Sequence, residues 1–200
     1  MLILVNGKKR AGKDYLAKLI VEKLNKNVTA TTMSFADTIK EIVAQTFGIS
    51  LKELDDLKNS NESFKFGKHS ITFREILQNY GTDAMKRVFG DDIWVKLLID
   101  KYNKYTIDEG DIVIVPDFRF ACEHVNDAVT INIYNEELVH TDQHSSENGL
   151  NDFEFDYYVD NTGRPDLSSN VDYLVNEIIE KFKLMHSVHS VHSVHSVHSY

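Results

Sequence analysis

The chain has 200 residues, 42% hydrophobic and 26% charged, with a formal net charge of −9. That is enough for one domain with a packed core, and no run approaches the ~18 apolar residues of a membrane span. The acidic balance argues against a protein that coats nucleic acid, and the single cysteine, Cys122, excludes an internal disulfide framework and fits a reducing cytoplasm.

Leu2–Asn6 is a short apolar run of strand type. It has no basic segment before it and passes straight into glycine, so it reads as a first strand and not a signal peptide. Asp14–Leu24 carries Leu16, Leu19, Ile20 and Leu24 at helical spacing. Val28–Phe35 reads as a second strand. Ala36–Phe47 reads as a helix closed by Gly48, and Leu51–Leu57 as a further helix capped by Ser50. Lys58–His69 is polar and rich in breakers, which predicts a mobile surface loop. Ile71–Phe89 and Asp91–Tyr105 are amphipathic and helical. Ile112–Val115 is the pattern of a buried parallel strand. Val129–Tyr134 and Phe155–Val159 are further strands, and Asp166–Leu184 a last helix. Strands alternating with helices predict an α/β fold, a parallel sheet flanked by helices in three layers.

One domain over 1–185 is expected, with mobile segments near 58–69 and 135–149. Residues 186–200 form a strict three-residue repeat, HSVHSVHSVHSVHSY, holding five of the nine histidines. Such a repeat supplies no core and reads as a low-complexity extension. Its imidazoles also allow a metal-binding tract.

Gly7-Lys8-Lys9-Arg10-Ala11-Gly12-Lys13 matches G-x-x-x-x-G-K between a strand and a helix. The glycines let backbone N–H groups wrap a phosphate, the helix N-terminus adds positive potential, and Lys13 reaches the β and γ oxygens of a nucleotide. Asp14 stands where most such loops have Ser or Thr. Its carboxylate either supplies a hard oxygen to Mg²⁺ or complements the helix dipole.

Asp117 ends an apolar strand, where ligands gather in parallel sheets. It is placed to hold Mg²⁺ through water, with Arg119 reaching a phosphate. The alternative is a salt bridge between the two. Arg74 and Gln78 share one helix face, so that one can bind an acceptor phosphate and the other a base edge, and Gly81 would allow close approach. Trp94 by itself reads as core.

These residues resemble the deoxynucleoside monophosphate kinases of tailed bacteriophages, a group of P-loop nucleotide kinases. The resemblance is carried by GKKRAGKD at 7–14, FREILQNYGTD at 73–83, Trp94-Val95-Lys96, VPDFRFACE at 115–123, and His144–Leu150 followed by Val159–Gly163. It implies a P-loop kinase fold, ATP as donor with Mg²⁺ as cofactor, and transfer to a deoxynucleoside monophosphate. Lys13, Arg10, Asp117 and Arg119 would be catalytic. Gly7, Lys8, Lys9, Ala11, Gly12, Lys13, Asp14, Tyr15 and Arg164 would bind ATP. Arg74, Gln78, Gly81 and Trp94 would bind the acceptor, with Asp14 and Asp117 at the metal. A cytoplasmic enzyme follows, with room for a homodimer and with no nucleic acid polymer or membrane as partner.

Two departures stand out. Asn135 occupies a place where the family often has arginine, and 135–149 contains no Arg or Lys. Lys8, Lys9, Arg10 or Arg119 would have to neutralise the transferring phosphoryl group instead. The rival readings are a kinase for another phosphorylated small molecule, of phosphomevalonate-kinase type, and a nucleotide-binding regulatory module.

Overall fold

The computed structural model describes residues 1–60, 62–105, 111–138, 149–163 and 167–194. Five strands build one parallel sheet: β1 (Leu2–Asn6), β2 (Ala30–Thr32), β5 (Ile112–Val115), β6 (Val129–Tyr134) and β7 (Tyr157–Asp160), in the spatial order β2-β5-β1-β6-β7. The central strand β1 pairs with β5 on one side and β6 on the other. The order therefore reverses at β1, and the crevice at the carboxyl ends of these strands is where such sheets take ligands. All of β5 is buried, as its run of β-branched residues requires with helices covering both faces.

Helices α1 (Lys13–Leu24) and α7 (Leu167–Val194) cover one face. Leu16, Ile20 and Leu24 of α1 pack there with Val171, Leu174 and Ile178 of α7 against Ile3, Val5, Ile114 and Ile131 of the strands. The other face is covered by Phe35 of α2 (Phe35–Phe47) and by Trp94 and Leu98 of α6 (Ile93–Tyr105), which meet Leu4, Val113, Val115 and Phe118.

A smaller helical layer stands off this second face. Val43 and Ala44 of α2 pack with Leu54 of α3 (Leu51–Ser60) and Phe73 of α4 (Phe73–Gln78). Phe47, Phe64 and Phe73 meet edge to face, with centroids 5.2–6.0 Å apart. Beyond α4 the helix widens to π-type over Asn79–Met85 and tightens again in α5 (Lys86–Phe89).

Several boundaries differ from the sequence reading. The segment 58–69 is not an irregular loop. Lys58 and Ser60 belong to the last turn of α3, and β3 (Ser63–Phe66) and β4 (His69–Thr72) form an antiparallel hairpin turned at Gly67. Short alternating stretches such as Ser63–Phe66 lack the length that would separate them from a loop by pattern. The second strand spans only Ala30–Thr32, because Ser34 is already the N-cap of α2: its Oγ accepts from the Ala36 amide and Asp37 accepts from the Ser34 amide. The last helix continues to Val194, well into the histidine repeat. A three-residue period does not bar a helix when Gly and Pro are absent. Positions 195–200 lie outside the described residues.

Candidate active site

The loop between β1 and α1 is held by its own backbone and by one neighbour. A Cβ at Gly7 would stand 2.4 Å from the Ile133 carbonyl oxygen, and one at Gly12 would stand 2.8 Å from Asn161 Nδ2. Gly12 also has φ 104°, which disfavours any side chain. Arg10 takes the left-handed conformation at φ 67° without being glycine, and such strained positions cluster at functional loops. Asn161, at the end of β7, donates from Nδ2 to the Ala11 carbonyl at 3.0 Å, and its amide donates to the Tyr134 carbonyl at 2.8 Å. The sequence alone gives Asn161 no visible role, yet it pins the loop to the sheet.

The first intrahelical bond of α1 runs from the Leu16 amide to the Gly12 carbonyl, and no side chain caps the helix. The amides of the first turn thus stand outside the helical ladder, beside the Lys13 side chain. Lys13 Nζ donates to the carbonyls of Gly7 and Lys8. Lys8, Lys9, Arg10, Asp14 and Tyr15 are exposed around this helix end. The cluster has the geometry and the charge that suit an anion.

A cleft of about 230 Å³ opens next to it, between the sheet, α2, α3 and α4. Arg74, Gln78, Gly81 and Trp94, predicted on the acceptor side, all line it, together with Asp117, Arg119 and Lys9 of the loop. Arg164 lies outside the described residues, as do positions 139–148 of the second predicted mobile segment. Trp94 is buried and donates from Nε1 to the Gly81 carbonyl at 2.9 Å, which ties α6 to the π-helical segment. A Cβ at Gly81 would stand 2.8 Å from Ile39 Cδ1, so a larger residue there pushes on another wall residue.

Lys40, Lys58, Lys86, Phe120 and Glu123 also line the cleft and were given no role by sequence reasoning. Lys58 fell in the presumed loop. Glu123 stood at the end of a motif already singled out. Burial pulls the Lys58 ammonium below the usual lysine range, and Lys40, Arg74 and Arg119 add to this, with only Asp55 opposing. Lys40 is paired with Asp55 at 3.1 Å.

Asp117 has a definite structural job. Its Oδ1 accepts from the Phe35 amide at 3.0 Å, and its Oδ2 accepts from the Ala36 amide at 3.0 Å and from Ser34 Oγ. It therefore caps α2 and fixes the wall that carries Ile39 and Lys40. Burial pushes its carboxyl above the usual range, while these three bonds and Arg119 pull the other way.

A second cavity, about 310 Å³, lies on the other side of the loop, between Lys8, Asn6, Asn132 and the stretch Gly149–Phe155.

The sequence model of the deoxynucleotide monophosphate kinase family matches residues 50–171, more than half of the chain. The chain belongs to that family. The matched segment runs from α3 into the start of α7, so it contains most residues of the 230 Å³ cleft and leaves out the loop at 7–13. Family membership supports a kinase activity on deoxynucleotide monophosphates. No curated protein matches the chain. Among the described residues, no helix is long and apolar enough to cross a membrane.

Proposed function

We propose that this family member transfers the γ-phosphoryl group of ATP to the phosphate of a deoxynucleoside monophosphate, giving ADP and the deoxynucleoside diphosphate. The observation that carries the reading is the convergence of Lys58, Lys40, Arg74 and Arg119 around one cleft beside the phosphate loop. Like charges gathered in a partly buried place are costly by themselves. A phosphate monoester entering the cleft reverses that cost, and Arg74 and Arg119 can grip it bidentately. These cations also answer the lack of Arg and Lys in 135–149: the positive charge comes from below the acceptor instead of from a lid.

In this reading Gly7, Ala11 and Gly12 shape the loop, and its amides with the N-terminus of α1 cradle the donor phosphates. Lys13 turns from the carbonyls of Gly7 and Lys8 to the β and γ oxygens. Lys8, Lys9 and Arg10 surround the same anion, and Tyr15 and Arg164 belong to the donor side. An oxygen of the acceptor phosphate attacks the γ-phosphorus as the bond to the β–γ bridging oxygen breaks. The attacking oxygen is already anionic, so no strong base has to remove a proton. Positioning and charge neutralisation supply the catalysis.

Mg²⁺ fits this chain chiefly through Asp14. Its carboxylate is exposed in the first turn of α1 and has no hydrogen-bond partner among the described residues. No group of three or more His, Cys, Asp or Glu suited to a metal occurs among the described residues. That suits a cation held largely by nucleotide and water. When bound, it would offset phosphate charge. Asp117 has three donors on its two oxygens, which leaves one lone pair on Oδ1, enough for contact through a water.

The test is an ATP-coupled assay against all natural nucleoside and deoxynucleoside monophosphates. Acceptor-dependent ADP release with a deoxynucleotide, far above the rate without acceptor, is expected. ATP turnover indifferent to every nucleotide acceptor would overturn the reading.

A further inference from the structure

We propose that Lys86 and Glu123 read the edge of the acceptor's base and so set which deoxynucleotide is taken. The inference rests on the cleft being the acceptor site. Arg74 opens one end of the helical run Phe73–Phe89 and Lys86 lies near the other, so the length of that run separates them along its axis. With the phosphate at the Arg74 and Lys58 end, an extended nucleotide directs its base toward Lys86.

The pair is built like a reader. Both side chains are almost wholly buried from solvent, at 9% and 5% exposure, yet both line the cavity. The two oxygens of Glu123 differ in task. Oε2 accepts from the amides of Arg119 at 2.8 Å and Phe120 at 3.0 Å, fixing the turn after β5. Oε1 faces Lys86 Nζ at 3.7 Å, well beyond the ~2.7–2.9 Å of a charge-assisted hydrogen bond. A buried pair so spaced recovers little of its desolvation cost. It keeps an acceptor on one partner and donors on the other. Lys86 is steadied over the Phe120 ring, 4.0 Å from its centroid.

A base edge presents a donor next to an acceptor, the complement of this pair. Trp94 cannot do this work, because its one donor is spent on the Gly81 carbonyl. It offers an apolar face. Burial raises the Glu123 carboxyl to about 6, consistent with an oxygen whose partner is not in hydrogen-bond contact.

Glu123→Gln tests the inference with the turn intact. The amide oxygen can keep the two backbone bonds while its NH₂ replaces Oε1, turning an acceptor into a donor. Lys86→Met keeps the stem on Phe120 and removes the charge. The measurement is kcat/KM for the four natural deoxynucleoside monophosphates at saturating ATP, on parent and both variants. A change of at least about tenfold in the ratio between best and worst acceptor is expected, with the KM for ATP within about twofold. If all four values fall together, or none moves, the pair is structural and the inference is wrong. Should Glu123→Gln melt at the assay temperature, Lys86→Met decides by the same criterion. A parent inactive on all four nucleotides would sink the assignment of the cleft itself, and this inference with it.

Discussion

The loop at Gly7–Lys13 and the cleft beneath α4 gather positive potential by different means. The loop does it with main chain and with the closely spaced cations Lys8, Lys9, Arg10 and Lys13. Its amides, its glycines and the end of α1 lie next to one another in sequence, and one distant residue, Asn161, steadies them. The cleft does it with side chains. Lys40, Lys58, Arg74 and Arg119 arrive from α2, α3, α4 and the turn after β5, and the packing of Phe73, Val43 and Leu54 brings the three helices together. A backbone site tolerates change in its exposed side chains and fails when its glycines or its lysine change. A side-chain site spreads its work over several residues, so each loss is partial, but it depends on remote caps and core contacts.

That contrast can be broken by substitution. The largest effect is expected for Lys13→Met, a fall in kcat of about 10²–10³-fold with the fold intact, since one charged donor at the transferring group is removed. Steady-state rates with a thermal melt check it. Next comes Lys58→Met: kcat/KM for the acceptor should fall about 30-fold while the KM for ATP stays within about twofold. The parent's acceptor KM should also rise as pH climbs through the Lys58 pKa, which lies below the usual lysine value, and Lys58→Arg should push that rise to higher pH.

Asp117→Ala should cost about 2–3 kcal/mol of stability, because the amides of Phe35 and Ala36 lose a buried acceptor. Denaturant titration measures this, and an unchanged midpoint would remove the capping role. The smallest effect concerns Glu123. Its folded pKa of about 6 lies above its ordinary 4.5. The folded state therefore binds the proton more tightly, and the group's contribution is full below about 4.5 and lost as pH rises through about 6. The stability of the parent relative to Glu123→Gln should fall by about 2 kcal/mol from pH 4 to pH 7. A flat difference would show that burial does not control this carboxyl.

The same contrast explains what the sequence made legible. Five strands and the glycine-rich loop were visible because apolar and β-branched runs, glycine spacing and the lysine that opens the helix are local signals. Arg74, Gln78, Gly81 and Trp94 were placed together through resemblance, and the cleft unites them. Lys40 and Lys58 were not visible, because a lysine on a polar helix face or in a segment that reads as a loop looks solvated until packing turns it inward. Asp117 shows the reverse limit. An acid at a strand end suggests a metal, but nothing in its own segment announces the three donors it takes from residues 34–36, far away in sequence. The hairpin at 63–72 was missed because its strands are too short for their alternation to stand out.

The cleft is proposed to take a phosphate monoester. Calorimetric titration of the parent with a deoxynucleoside monophosphate and with the matching deoxynucleoside, without ATP, tests it most directly. The monophosphate should bind at least about 100-fold more tightly, a margin reduced about tenfold or more in Lys58→Met. Equal affinity for the two ligands would contradict it.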